Sequence, residues 1–273
     1  MVLFPNAKIN LGLNVTERRN DGYHNILSLF YPIGLCDVLE FVKNENSDTD
    51  TITYSGLPIP GNPAENLITK ALMLIREVKF IPPLEIHLHK IIPMGAGLGG
   101  GSADGTFFLQ ALNQEFQVGL TDEKLEELAL KLGSDCPFFV RNVPLAVSGK
   151  GEHFEEIDVN IKGKYIVLVF SDLHISTRAA YREMDLKEPA IPPAEVVSKM
   201  NIDEWSQFLA NDFENYAFAE HPELKKIKSQ LYELGAIYAS MTGSGSAVYG
   251  IFDAVPENKK LSEIAANRWV GRM

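Results

Sequence analysis

The sequence predicts an α+β fold in which several strands precede and separate paired helices. Alternating apolar residues mark strands near both ends of the 273-residue chain, and apolar residues at helical spacing lie between them. Glycine-rich turns stand where a strand meets a helix or another strand. A strongly apolar strand over 164–171 opens the second half. We therefore expect two domains, residues 1–160 and 161–273.

The strands are predicted from alternation and from turn residues at their ends. Asp21-Gly22 predicts a hairpin turn after the first strand. In the strand before the glycine-rich segment, Leu84, Ile86, Leu88 and Lys90 share one side. Strands are expected over residues 1–16, 24–33, 37–43, 51–54, 84–92, 145–148, 155–157, 164–171, 237–241 and 247–252, with a polar loop over 44–50.

The helices are predicted from apolar spacing and from end signals. The clearest helix opens at Thr121-Asp122-Glu123-Lys124 and closes on Gly133. A proline-rich linker over 188–193 precedes the last group of helices. Helices are expected over residues 66–79, 102–115, 121–132, 177–181, 194–200, 202–209, 223–234 and 256–270.

Composition limits the function. A net charge of −11 argues against nucleic acid as a partner, because phosphate backbones require clustered Lys and Arg. Cys36 and Cys136 are too few for a disulfide framework, which favours a reducing cytoplasm. There is no signal-peptide pattern and no apolar run of about 18 residues, so we expect no membrane association. No self-complementary apolar stripe predicts an oligomer, and the oligomeric state stays open.

The most informative segment is Pro93-Met-Gly-Ala-Gly-Leu-Gly-Gly-Gly-Ser-Ala103, which follows a strand and opens a helix. Glycines let backbone N–H groups converge on a ligand, and a helix N-terminus favours an anion. The segment therefore predicts a phosphate site. It lacks the Lys of the G-x-x-x-x-G-K-[ST] loop. A G-x-G-x-x-G pattern fits only without the βαβ setting that dinucleotide binding requires.

Three further segments are candidates for chemistry. Lys8 and Asn10 share one face of a strand and suit a charged substrate, although a solvated strand face would look the same. Asp135 lies at a break before Pro137, where it could serve as a base or merely cap a helix, and Cys136 is better explained as a buried filler. The turn Thr242-Gly-Ser-Gly-Ser246 could bind phosphate or simply join two strands.

Three of these segments together resemble the GHMP kinase superfamily. They read PNAKINLGL, PMGAGLGGGSA and MTGSGSAVYG, in the order that is typical of that superfamily. The segments Arg18-Arg-Asn-Asp-Gly-Tyr-His24 and Gly133-Ser-Asp-Cys-Pro-Phe-Phe139 are similar to those of members that phosphorylate a cytidine diphosphate-linked methylerythritol for isoprenoid synthesis. Another GHMP kinase, acting on homoserine, mevalonate or a sugar, and a non-catalytic nucleotide-binding relative are the alternatives.

The resemblance implies a fold, substrates and roles for residues. The expected fold is a ribosomal S5 domain 2-like ATP-binding domain followed by a ferredoxin-like domain. ATP is the expected co-substrate, with Mg²⁺ to neutralise its phosphates and no assigned metal-binding residue. Lys8 and Asp135 would form the catalytic pair, with Asp135 accepting the proton of the substrate hydroxyl. The residues implied in ATP binding are Pro93, Met94, Gly95, Ala96, Gly97, Leu98, Gly99, Gly100, Gly101, Ser102 and Ala103. Those implied in binding the acceptor are Asn10, Tyr23, His24, Tyr181, Gly243, Ser244 and Gly245.

One departure from the superfamily pattern lies just after the glycine-rich segment. The helix usually starts Ser-x-x-Ala-Ala, and here it reads Ser102-Ala-Asp-Gly-Thr106. Gly105 is expected to weaken the first helical turn, either loosening the segment or making room for a neighbour.

Overall fold

The computed structural model describes residues 1–45, 47–171, 173 and 175–273. Within these ranges the chain divides into two units. The first contains Met1–Ala7, Leu35–Met94 and Gly99–Val143. The second contains Lys8–Gly34, Gly95–Leu98 and Pro144–Met273. The boundary expected near residue 160 stays a prediction.

The described residues form both strands and helices. The strands are β1 (Val2–Leu3), β2 (Asn6–Arg18), β3 (His24–Cys36), β4 (Val38–Lys43), β5 (Thr51–Gly56), β6 (Leu84–Lys90), β7 (Leu145–Ser148), β8 (His153–Glu156), β9 (Tyr165–Val169), β10 (Tyr238–Met241), β11 (Val248–Phe252) and β12 (Arg268–Arg272). The helices are α1 (Leu67–Val78), α2 (Gly100–Glu115), α3 (Asp122–Leu132), α4 (Phe138–Arg141), α5 (Thr177–Arg182), α6 (Pro193–Lys199), α7 (Trp205–Phe208), α8 (Phe213–Glu220), α9 (Pro222–Glu233) and α10 (Asn258–Ile264).

The first unit is built on a sheet with the order β1-β4-β6-β5. Strands β4 and β6 are antiparallel, with Phe41 opposite Ile86, whereas β5 runs parallel to β6 at the edge. Helix α1 buries Ile68, Ala71 and Ile75 along one stripe, as its apolar spacing requires. These residues join the apolar side chains of the sheet, α2 and α3 in one core.

The second unit contains two sheets, with the orders β2-β3-β7-β8 and β10-β11-β9-β12. Strand β9 is apolar throughout and lies between β11 and β12, which explains why four of its five residues are buried. Strands β10 and β11 are antiparallel neighbours, so the glycine turn that joins them is a hairpin connection.

The strand predictions are confirmed to within a few residues, except that the strand predicted over 1–16 is divided into β1 and β2, which belong to different sheets. Asn46, inside the predicted polar loop over 44–50, lies outside the described residues. No helix among the described residues has both the length and the hydropathy of a membrane span.

One helix prediction needs correction, and two helices were not predicted. The helix expected over 256–270 is wrong after residue 264, because residues 268–272 form β12 and pair with β9. Tertiary pairing overrides local spacing there, and Trp269 and Val270 suit a strand. Helices α4 and α8 were missed, since four and eight residues are too short to show periodicity.

Candidate active site

The glycine-rich segment has the backbone that its sequence predicts. Gly95, Gly97 and Gly99 have φ angles of 70°, 79° and 70°, in the left-handed region that side chains disfavour. At Gly97 a Cβ atom would lie 2.0 Å from the carbonyl oxygen of Thr242. Glycine is therefore required at this position by close backbone packing as well as by torsion.

Helix α2 begins at Gly100, two residues earlier than predicted, with Gly99 as its N-cap and no side chain capping it. A helix N-terminus exposes backbone N–H groups and a partial positive charge. Without a capping side chain, this end can receive an anionic ligand, as the glycine pattern suggested.

A cavity of about 230 Å³ lies beside the start of α2, wholly within the first unit. Its lining residues include Gly101, Met94, Asp104, Asn66 and Tyr54. Met94 and Gly101 belong to the predicted ATP-binding segment, but the other walls could not be predicted, because they come from β5, β6 and the loop before α1 and share no motif. The size and mixed polarity suit part of a small-molecule ligand.

Lys8 and Asn10 do share one face of β2, and both are buried, with exposed fractions of 3% and 1%. The solvated-face alternative is therefore excluded. The Nζ of Lys8 donates to Oδ1 of Asn10 over 2.8 Å and lies 4.4 Å from the centre of the Phe30 ring. These contacts hold the ammonium group in a defined place.

Asn10 is also bonded to the turn between β10 and β11. Its Oδ1 accepts from Gly243 N at 2.9 Å and from Thr242 Oγ1 at 3.2 Å. Its Nδ2 donates to Ser28 Oγ at 2.9 Å. The hairpin turn at 242–246 is therefore tied to the Lys8 strand through one amide, and Thr242 Oγ1 also lies 3.0 Å from Gly97 O. Nearby, Ser244 Oγ is 2.8 Å from Thr177 Oγ1.

Asp135 lies in the first unit between α3 and α4, and it is half-buried. The caps of the two helices are Gly133 and Pro137, so Asp135 is not a helix cap. Ser134 Oγ donates to Asp135 Oδ1 at 3.4 Å.

Burial raises the pKa of the neighbouring Cys136 thiol to about 11. The thiol is therefore a poor nucleophile, which fits the predicted role of a buried filler.

An aromatic group in the second unit contains three of the residues implied in acceptor recognition, Tyr23, His24 and Tyr181. The rings of His24 and Tyr181 are stacked, 4.7 Å apart and inclined by 17°, and Phe213 meets Tyr181 edge-on. Tyr23 is 60% exposed, and Lys150 Nζ lies 5.0 Å from its ring centre. Burial, followed by the charge of Arg18, lowers the pKa of His24, which favours the neutral ring.

The sequence matches the GHMP kinases N terminal domain over residues 66–142 and the GHMP kinases C terminal domain over 194–271. It is 47% identical over 260 residues to a Bacteroides fragilis protein named 4-diphosphocytidyl-2-C-methyl-D-erythritol kinase, covering 95% of this chain and 94% of that protein. A solved 4-(cytidine 5'-diphospho)-2C-methyl-D-erythritol kinase superposes with a TM-score of 0.81 at 29% identity, covering 99% and 98% of the two chains. The mevalonate kinase of Methanococcus jannaschii has a TM-score of 0.73 at 15% identity over 100% and 98%, a similarity of fold alone.

Proposed function

The chain belongs to the GHMP kinase family and, within it, to the 4-diphosphocytidyl-2-C-methyl-D-erythritol kinases, and on that premise we propose its reaction. ATP phosphorylates the 2-hydroxyl of 4-diphosphocytidyl-2-C-methyl-D-erythritol, giving the 2-phosphate and ADP, on the non-mevalonate route to isoprenoid precursors. The structural observation that carries this proposal is the uncapped start of α2 beside a cavity. The cytoplasm remains the proposed location, because two cysteines provide no disulfide framework.

The first unit supplies the site proposed for ATP. The N–H groups of Gly100, Gly101 and Ser102, the first three residues of α2, are proposed to bind phosphate, whereas the N–H of Ala103 donates to Gly99 O at 2.9 Å. The cavity beside Gly101 would take the nucleoside, with Tyr54 and Asn66 as an aromatic and a polar contact.

The second unit supplies the residues proposed for the cytidine end of the acceptor. A cytosine ring stacks favourably on flat aromatic side chains, which His24, Tyr181 and Tyr23 provide. The Gly243–Gly245 turn is proposed to border the acceptor. Asn10 is proposed to act through Lys8, because the donors of Lys8, Thr242 and Gly243 already converge on its Oδ1.

Phosphoryl transfer requires positioning, proton removal and charge stabilisation. Asp135 is proposed to accept the proton as the acceptor oxygen bonds to the γ-phosphorus and the bond to ADP breaks. Lys8 is proposed to stabilise the negative charge that develops during transfer, and its fixed ammonium group suits that role.

Mg²⁺ fits this site as an ion carried by ATP. The described residues contain no group of three or more His, Cys, Asp or Glu side chains that could cage a metal. Magnesium in kinases is commonly held by substrate phosphates, water and one or two carboxylates. The bound ion would neutralise phosphate charge, and we assign it no protein ligand.

A substrate panel tests the reaction. We expect ADP release with the cytidine diphosphate-linked methylerythritol, and little above background with homoserine, mevalonate or a sugar. Turnover of one of those three instead would establish the alternative GHMP kinase. ATP binding without turnover of any acceptor would support a non-catalytic relative.

Asp135→Asn tests the proposed base. We expect kcat to fall by at least about a hundredfold while ATP binding is retained, because a positioned base typically contributes 10²–10⁴-fold. Asp122→Asn, at the exposed start of α3, is the matched control and should keep wild-type turnover. Near wild-type turnover in Asp135→Asn would refute the assignment.

A further inference from the structure

A buried ionic cluster lies at the two ends of the glycine-rich segment. Lys90 is the last residue of β6, just before the segment, and Asp104 lies in the first turns of α2, just after it. Asp37 joins them from the turn before β4. The exposed fractions of Lys90, Asp104 and Asp37 are 1%, 3% and 0%, and all three belong to the first unit.

The contacts within this cluster are short. Lys90 Nζ donates to Asp37 Oδ2 at 2.5 Å and to Asp104 Oδ2 at 2.7 Å. Asp37 Oδ1 also accepts from the backbone N–H groups of Ile91 and Ile92, at 2.5 Å and 2.9 Å. The strand that leads into the glycine-rich segment and the helix that leaves it are thus joined through one ammonium group. At Gly100 an added Cβ atom would lie 3.0 Å from that ammonium nitrogen.

The cluster holds two carboxyl groups for one cation, so full ionisation would leave a buried net charge of −1. Such a charge is costly in a dry interior, and a proton removes it. Asp37 accepts from three donors and is well satisfied as an anion. Asp104 receives only the Lys90 donor, and its buried Oδ1 has no hydrogen-bond partner among the described residues. The proton therefore belongs on Asp104.

We propose that Asp37, Lys90 and Asp104 form a positioning cluster that fixes both ends of the glycine-rich segment, and that Asp104 must carry a proton for ATP to bind tightly. The inference rests on the proposed ATP-dependent function. Asp104 lines the cavity beside α2 together with Gly101, which is one of the residues proposed to bind phosphate, so an ionised carboxylate would repel a polyphosphate bound at the start of α2. With the proton in place the cluster is neutral.

The titration of Asp104 follows from its surroundings. Burial raises the pKa of Asp104 most, the Lys90 ammonium group lowers it, and Asp37 raises it by charge and as a hydrogen-bond partner, for a value of about 7. Two other titratable residues line the same cavity, Glu65 from the loop before α1 and Tyr54 from β5. Both are exposed to solvent. The charged partners of Asp104 in the described chain are thus Lys90 from β6 and Asp37 from the turn before β4.

The test measures binding of a non-hydrolysable ATP analogue between pH 6 and 8, without acceptor. We expect wild-type Kd to rise by up to about tenfold across that range, because the protonated fraction falls about tenfold per pH unit above the pKa. Asp104→Asn keeps the shape and the neutral state, so its Kd should not show this rise. Protonation of the analogue and of its Mg²⁺ complex changes with pH in the same way in both experiments. A difference between the pH profiles of the two proteins is therefore specific to residue 104.

Two further variants separate a positioning role from a merely structural one. Asp50→Asn removes a carboxylate that pairs with Arg76 elsewhere in the first unit, and it should keep the wild-type pH profile. Asp37→Asn replaces the carboxylate that accepts three hydrogen bonds with a neutral amide, and this change should raise Kd at every pH.

The infrared spectrum of the ligand-free protein should show a protonated carboxyl band at pH 6 that disappears by pH 8.5 and is missing in Asp104→Asn.

Parallel pH profiles for wild type and Asp104→Asn would overturn the inference, as would an infrared spectrum without that band. Either result leaves the proposed reaction standing, since the analogue still binds. If the analogue binds at no pH, the proposed ATP-dependent function fails, and the inference fails with it.

Discussion

Asp104 should make the stability of the folded protein depend on pH. Its folded pKa of about 7 is higher than the ordinary value of 3.8, so the folded state binds more protons than the unfolded state between those values. The stabilising contribution is full below about pH 4 and is lost as pH rises to 7. In Asp104→Asn this loss is absent, and the variant should be more stable than wild type at pH 8 by up to about 4 kcal/mol. Urea unfolding at pH 4.5, 6 and 8 measures the difference.

The sign of that difference discriminates between two views of Asp104. If the carboxylate were a stabilising ion-pair partner of Lys90, Asp104→Asn would be less stable than wild type at pH 8. At pH 4.5 a carboxyl that is protonated in the folded state makes Asp104→Asn only about 1 kcal/mol more stable than wild type, whereas an ion-paired carboxylate would already be ionised there and the variant would be less stable. A variant that is less stable at pH 8 would contradict the prediction.

Asn10 should affect turnover through the hydrogen bond that its side chain accepts from Lys8. Asn10→Ala removes the oxygen that accepts hydrogen bonds from the buried Gly243 N–H and from the Lys8 ammonium group. We expect a loss of about 1–3 kcal/mol in unfolding free energy, the usual cost of one unsatisfied buried group, and a fall in kcat. Asn14→Ala, on the same strand, removes a bond to Asp212 and should lower stability with kcat kept. Equal kcat in the two variants would refute the positioning role.

Single residues also show how far the sequence could be interpreted. Alternation placed Lys90 on the same side of its strand as Leu84, Ile86 and Leu88, and that side is buried. A lysine on an apolar face predicts a buried charge with an acidic partner. Its partners, Asp37 and Asp104, could not be identified, because they come from segments 53 and 14 residues away and share no motif.

At the scale of elements, Gly105 shows a glycine that serves packing between helices. It lies inside α2, where an added Cβ atom would approach Leu67 Cβ to 2.9 Å. The structure thus favours the second sequence interpretation, that Gly105 makes room for a neighbour.

Gly105→Ala should therefore destabilise the protein, although alanine ordinarily stabilises a helix by about 1 kcal/mol. We expect a net loss of about 1–3 kcal/mol from overpacking against α1, measured by thermal unfolding. Gly101→Ala, in the same helix, would place its Cβ 3.8 Å from Met94 Cε and is the control. Gly101→Ala should leave the unfolding temperature unchanged or raise it slightly. A gain in stability for Gly105→Ala would contradict the packing explanation.

The elements that the sequence predicted well are those with local signals. Helix α3 has a Thr121 cap and a closing Gly133, and both positions were predicted to the residue. Strand β12 has no such signal, because its strand conformation depends on β9, about a hundred residues earlier in the chain. The start of α2 was predicted two residues too late, because the glycines at positions 100 and 101 have low intrinsic helix propensity.

At the scale of the whole molecule, the cavity proposed for the nucleoside of ATP and the aromatic stack proposed for the acceptor lie in different units. The cavity, the start of α2 and the ionic cluster belong to the first unit, and the His24–Tyr181 stack belongs to the second. The sequence predicted the acceptor residues through resemblance alone, and it did not predict the cavity. If the two bases bind to different units in this way, a mutation in one unit should change KM for one substrate and not for the other.

Tyr54→Ala and Tyr181→Ala test that division with the same chemical change. Loss of an aromatic contact to a base costs about 1–3 kcal/mol, or roughly fivefold to more than a hundredfold in affinity. Tyr54→Ala should raise KM for ATP by that factor and leave KM for the acceptor within about twofold. Tyr181→Ala should do the reverse, and Tyr181→Phe, which keeps the ring stacked on His24, should restore the acceptor KM. If either alanine variant raised both KM values equally, the assignment of one substrate to each unit would be wrong, and the two rings would instead be supporting the fold that both substrates require.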